Sequence, residues 1–251
     1  MPYGGLLNYG WLDRPLSLAG RIIVEKKDKI EKRIVDFKKP MAIVPSVAIH
    51  LNDKANTNLD LNAQTDLQPI FAITDKEDSW SHLLEETLKP QEKLMDYELF
   101  LYNSLNPQTI GLKQDLLLSP RIDNITSVYS SLESFLETNG NNILVFCSFN
   151  NEEIGSLTRE GADSNFLLDT LKRIAASLEI EIAPTLAKSF LISSDNTHAV
   201  HPNHPELSDE TGKAFLGKGF TIIKEISSTT DAYFSSIIKK KKKKHNILYQ
   251  D

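Results

Sequence analysis

Residues 143–149 read ILVFCSF, and NNEE (150–153) follows directly. An uncharged run of this length predicts a strand covered on both faces, as in a sheet flanked by helices. Residues 188–193 (KSFLIS) have the same character and lead to Asp195. Helical spacing is predicted at 164–177 and at 124–137, where Val128, Leu132, Phe135 and Leu136 share one face. A third strand at 220–223 precedes a helix that begins near Thr230. Strand and helix thus alternate after Ser119, which predicts an α/β layer architecture.

The chain before residue 116 reads differently. Residues 20–44 alternate short β-branched runs (Ile22, Ile23, Val24; Ile34, Val35, Phe37) with charged residues, and Pro40 and Pro45 punctuate them. This pattern predicts antiparallel strands. Further strands are expected at 67–73, 96–102 and 116–118, with an Asn- and Asp-rich loop at 52–64. Ser79 is placed to cap a short helix reaching Leu88, which Pro90 ends.

The 251 residues are 40% apolar and 25% charged, which excludes a disordered chain or a fibrous repeat. No apolar run is long enough to span a bilayer. The first residues, MPYGG, lack the basic and apolar regions of a secretory signal. Cys147 is the sole cysteine and cannot form an intrachain disulfide, so a reducing, cytoplasmic address is expected. The net charge is −6, and without the six consecutive lysines at 239–244 it would be −12. An acidic body argues against nucleic-acid binding. The lysine run reads as the solvated end of a helix, with a targeting or nucleic-acid tail as the competing reading.

The chemistry should sit where the buried strands end. Glu152 and Glu153 follow one such run; Asp195, His198 and His201 follow the other, and Asp123 precedes a helix. In open α/β sheets ligands bind beyond the carboxyl ends of the strands, so these acids can converge on one crevice. Carboxylates held close raise one another's pKa unless a divalent cation stabilises the ionised forms. Carboxylate and imidazole donors suit zinc, manganese or cobalt. Of two adjacent acids, one can ligate while the other acts as general base. Plainer readings stand beside these: Asp123 as a helix N-cap, and Glu152–Glu153 as a solvated loop. The His198, His201, His204 spacing resembles a metal comb, but Pro202 and Pro205 interrupt it as a helix.

At these residues the sequence resembles the aspartyl aminopeptidase and vacuolar aminopeptidase I family of metallopeptidases. The matching stretches are YGGLLNYGWLDRPLSLAGRI (3–22), VPSVAIHLN (44–52), SPRIDNITS (119–127), FNNEEIGS (149–156), GAD (161–163) and ISSDNTHAVHPNHPE (192–206). The resemblance implies a dinuclear, usually zinc, exopeptidase acting on peptides, with a preference for N-terminal Asp or Glu. It implies a mixed-sheet α/β catalytic domain (1–12 and 117–251) with an inserted β-rich dimerisation domain (13–116). Homo-oligomers built from dimers, as large as a dodecamer, are expected, with neither nucleic acid nor membrane as partner.

Carried over by position, Asp123 is the metal-bridging carboxylate, Glu152 the general base, and Glu153 and Asp195 terminal ligands of the two metals. His50, His198 and Lys224 take substrate-binding places. His50 matches a histidine that reaches into the neighbouring subunit's site, and Lys224 a lysine facing an acidic substrate side chain. Family members are longer at both ends. The upstream His of the Asp195 metal and the downstream His of the Glu153 metal have no counterpart here, and the family's Asp ahead of Asn-Glu-Glu is Asn150. The stretch 224–230 is also shorter. With two ligands left per metal, these 251 residues alone are expected to bind metal weakly and show little peptidase activity. The competing reading is a catalytically incomplete assembly or interaction module.

Overall fold

The computed structural model describes residues 7–57, 59–73, 79–151, 155–224 and 230–251. It divides into two compact units, Met1–Pro120 with Cys147–Lys188, and Arg121–Phe146 with Ser189–Asp251.

The first unit is organised by β1 (Leu16–Lys26), which pairs antiparallel with β2 (Lys29–Asp36) on one side and β3 (Lys93–Asn103) on the other. Period-two patterning puts Leu16, Leu18, Ile22 and Val24 on the inner face of β1, where all four are buried. Each such side chain contributes roughly 1.5–3 kcal/mol. Lys27 and Asp28 turn the β1–β2 hairpin with φ of 51° and 61°, the double left-handed turn whose twist matches the strands. At Gly20 the β3 backbone approaches so closely that a Cβ would collide with the Glu98 carbonyl oxygen.

Leu16, Ala42 and Val44 form a core against which Trp11, Leu12, Leu67, Phe71 and Leu101 pack. Helix α1 (Ser79–Glu85) buries Leu83 and Leu84, and the Trp80 ring meets Phe71 and Tyr97 edge-on. The Glu92 side chain, 2% exposed, accepts from Arg33 Nη1 on both carboxylate oxygens at 3.0 and 2.8 Å, while Arg33 Nη2 donates to the Thr87 carbonyl at 2.7 Å. A bond from the Lys89 backbone N–H, then Arg33, holds the Glu92 carboxyl below its ordinary pKa. A short hairpin of β4 (Gln108–Ile110) and β5 (Leu116–Leu118) and the helices α2 (Ile122–Glu137), α3 (Phe166–Ser177) and α4 (Ile182–Ala187) come next in the chain. All of these except α2 belong to the first unit.

In the second unit β6 (Phe220–Thr221) pairs parallel with β7 (Tyr249–Gln250). The Gln250 amide ties this sheet to residues 215–219 through bonds with Phe215 and Gly219. Helix α5 (Ala232–His245) is capped by Asp231, whose carboxylate accepts from the Phe234 N–H at 2.7 Å. Phe234 stacks on Phe190 at 4.6 Å between centroids, and Phe135 of α2 meets Phe146 at 6.2 Å.

Three expected strands are corrected. Residues 67–73 make only the isolated bridge Ile43↔Ile70. Residues 143–149 and 188–193 form no strand, and Ile143, Val145, Leu191 and Ile192 are more than half exposed. An extended segment becomes a strand only when another backbone meets its N–H and C=O groups, and no described segment pairs with these two. The helices expected at 124–137 and 164–177 are present as α2 and α3, and the expected hairpin as β1–β2.

Candidate functional site

The first turn of α2 departs from helical geometry at Asp123 (φ −81°, ψ 112°) and Asn124 (φ −119°, ψ 27°), and the peptide bond between them is cis. The N-cap position belongs to Arg121, which is left-handed (φ 61°, ψ 28°) and makes no side-chain cap bond. Asp123 is therefore not the N-cap. It precedes the regular helix with an exposed side chain.

Beside this turn runs the segment 194–196, in the same unit. Asn124 donates from Nδ2 to the Ser194 carbonyl at 3.4 Å. The Asn196 amide accepts the Ser127 hydroxyl at 3.0 Å and donates to Thr126 Oγ1 at 2.9 Å. Thr126 in turn donates to the Ile122 carbonyl at 3.0 Å. These bonds flank Asp123 on one segment and Asp195 on the other. They hold the two carboxylate-bearing stretches side by side. Asp195 is exposed and accepts from the Asn196 N–H at 2.7 Å. Asn124 Oδ1 is buried with no hydrogen-bond partner among the described residues, an oxygen acceptor left open next to Asp123.

These oxygens suit a divalent cation in donor type. The set is nevertheless incomplete as described: no group of three His, Cys, Asp or Glu side chains among the described residues could hold a metal ion. Glu152 and Glu153 lie outside the described residues. Their neighbour Asn151 is described: its carbonyl accepts from the Ala162 N–H at 2.9 Å and its side chain donates to Thr158 at 2.7 Å.

His50 is exposed in a turn of the first unit, and His198 is exposed in the irregular stretch after Asp195. Lys224 is exposed with its ammonium 3.9 Å from the Asp251 carboxylate. His201 and His204 face each other across a turn with rings 5.2 Å apart, so the histidine spacing forms no helical comb. Burial pushes the Cys147 thiol pKa up, which argues against a nucleophilic thiolate at neutral pH.

Sequence reasoning assigned no role to Asn124, Thr126, Ser127 or Asn196. The available signal was that both acid-bearing stretches, DNITS and SDN, surround the acid with short hydrogen-bonding side chains. The lysine run also needs correction, because Lys242 is only 3% exposed. Its ammonium lies 3.0 Å from the Phe220 ring centroid and 3.8 Å from that of Tyr249. Burial drives it from 10.5 down to about 8.

The whole chain, residues 1–251, matches the family described as Aminopeptidase I zinc metalloprotease (M18). It is 37% identical over 264 aligned residues to the probable M18 family aminopeptidase 2 of Clostridium novyi, covering 99% of this chain and 60% of that relative. A chain of the cryo-EM structure of the Ape4 and Nbr1 complex superposes with a TM-score of 0.84 at 29% identity, over 99% of this chain and 54% of that one. Chaetomium thermophilum mApe1 superposes with a TM-score of 0.81 at 26% identity, covering 99% and 62%. The mixed α/β fold is therefore that of M18 aminopeptidases, and the chain spans between about half and two thirds of the length of these relatives. With the acid-bearing stretches laced together as above and the match running from end to end, this chain belongs to the M18 family of zinc metalloproteases.

Proposed function

We propose that the protein is a metal-dependent aminopeptidase that hydrolyses N-terminal, preferably acidic, residues from peptides in the cytoplasm. The observation that carries this reading is the hydrogen-bonded pairing of the Asp123 and Asp195 segments. Two divalent cations, zinc by the family's description, would supply Lewis-acid polarisation of the scissile carbonyl. Asp123, Glu153 and Asp195 are the residues to hold them. Glu152 accepts a proton from the attacking water on its carboxylate and delivers it to the departing amine.

Lys224 orients an acidic side chain through a charge-assisted bond; the carboxylate of Asp251 beside its ammonium supports that preference. Residues 13–116 act as an inserted dimerisation domain, and His50 reaches the neighbouring subunit's site. Similarity to proteins named as aminopeptidases favours this reading over an assembly module. The test is metal analysis of the purified full-length protein, with hydrolysis of aspartyl, glutamyl and leucyl anilides before and after chelation. Hydrolysis should depend on restored zinc, manganese or cobalt and favour the acidic substrates. Absence of turnover with every metal would return the protein to the module reading.

A further inference from the structure

We infer that the outer edge of β2 pairs antiparallel with β2 of a second copy, on a two-fold axis through Lys32. The strand lies at the edge of its sheet, bonded only to β1 among the described residues. Register and the Phe37 N–H bond to the Leu18 carbonyl place its odd-numbered residues in the ladder with β1. Ile30, Lys32 and Ile34 therefore direct their backbone N–H and C=O groups away from the sheet. Ile30 and Ile34 are also 71% and 78% exposed. A long apolar edge of this kind is a template for strand addition.

Strand length and charge together select the register: on Lys29–Asp36 an axis through Lys32 or Arg33 pairs seven residues, whereas one through Glu31 or Ile34 pairs five and one through Ile30 three. An antiparallel ladder sets residues of like backbone facing opposite one another, so a two-fold axis must pass through a residue. An axis through Glu31 opposes Glu31 to its own copy and Lys29 to Arg33, both repulsive. An axis through Arg33 opposes Arg33 to itself and leaves Glu31 against Val35. The axis through Lys32 sets Ile30 against Ile34 and Glu31 against Arg33, each twice by symmetry. Within the Lys29–Val35 ladder only the two Lys32 side chains repel, on a solvated face where long ammonium chains splay apart at small cost. Arg33 lies on the face it would share with Glu31 of the second copy; its Nη1 serves both Glu92 oxygens and its Nη2 the Thr87 carbonyl, which leaves the Nε–H and one Nη2–H for the facing carboxylate. Self-complementarity of charge and apolar contact is what an isologous interface requires.

This inference deepens the dimerisation reading above and rests on it. Lys32→Cys, Glu31→Cys and Asp36→Cys are made in the full-length protein, oxidised with copper–phenanthroline and run on non-reducing gels beside the parent. On the axis the two Cα atoms lie about 5.5 Å apart, inside the roughly 7 Å limit for a disulfide. The two Glu31 positions lie about 8 Å apart from the strand rise, and the Asp36 positions much farther. Only Lys32→Cys should yield a covalent dimer, and Ile34→Lys should weaken self-association about tenfold in sedimentation measurements. Cross-linking through Glu31→Cys instead would overturn the register. An oligomer with no Lys32 cross-link and no response to Ile34→Lys would overturn edge pairing while leaving the dimerisation domain intact. A monomer at all concentrations would overturn both.

Discussion

Replacing Lys242 with Met should stabilise the protein at neutral pH, and the gain should shrink in alkali. The ammonium is buried by the fold, has no hydrogen-bond partner among the described residues, and lies against the rings of Phe220 and Tyr249. A fall from 10.5 to about 8 corresponds to roughly 3 kcal/mol against the charged folded form, at about 1.4 kcal/mol per tenfold. The aromatic faces return about 0.5–2 kcal/mol of that, and Met keeps most of the aliphatic packing. The net gain from Lys242→Met at pH 7 is therefore about 1–2 kcal/mol.

The sign with pH follows from proton linkage. Between about 8 and 10.5 the unfolded chain holds the Lys242 proton and the folded chain has lost it, so the parent gains stability as pH rises through that window. The variant lacks this term. Urea unfolding of both proteins at pH 7 and pH 10 measures it as a double difference, in which other titrating groups cancel. A variant less stable than the parent at pH 7, or a difference independent of pH, would refute the burial argument.

Glu152→Gln should retain metal stoichiometry and lose about 10²–10⁴-fold in turnover, whereas Glu153→Gln should lower metal occupancy measured by elemental analysis. Hybrids of His50→Ala and Glu152→Gln chains should recover activity that neither homo-oligomer has; verified hybrids without recovery would exclude a role for His50 across the interface. Glu92→Gln should destabilise the protein most above the ordinary carboxylate pKa. That difference should fade as pH falls through the depressed folded value, where the parent also protonates, and acid titration of both urea midpoints reads it. Gly20→Ala should cost about 1–3 kcal/mol, because β1 and β3 must separate to admit the methyl group, and the unfolding midpoint reports it.

Much of the local structure was legible from residue spacing. The periodicity of Val128, Leu132 and Phe135 specifies α2, and the alternation through Leu18, Ile22 and Val24 specifies β1, because each series gathers apolar side chains on one face of one element. The resemblance carried by DNITS, NNEE and SDN pointed to the acids, and the family match bears out that recognition. Other features were fixed only by contacts distant in sequence. Residues 67–73, 143–149 and 188–193 have strand-like composition, yet a ladder needs a second backbone, and composition cannot say whether one arrives. The lysine run reads as uniformly solvated, but Ser235 and Lys242 are the buried residues of α5, and Lys242 meets rings from β6 and β7. Asp123 and Asp195 are far apart in the chain, and each motif alone admits a bland reading. What joins their segments is the set of bonds that Asn124, Ser127 and Asn196 make across the fold. Local pattern fixes which face of an element is apolar; which partner meets that face depends on the path of the whole chain, and that is where the tertiary structure decides.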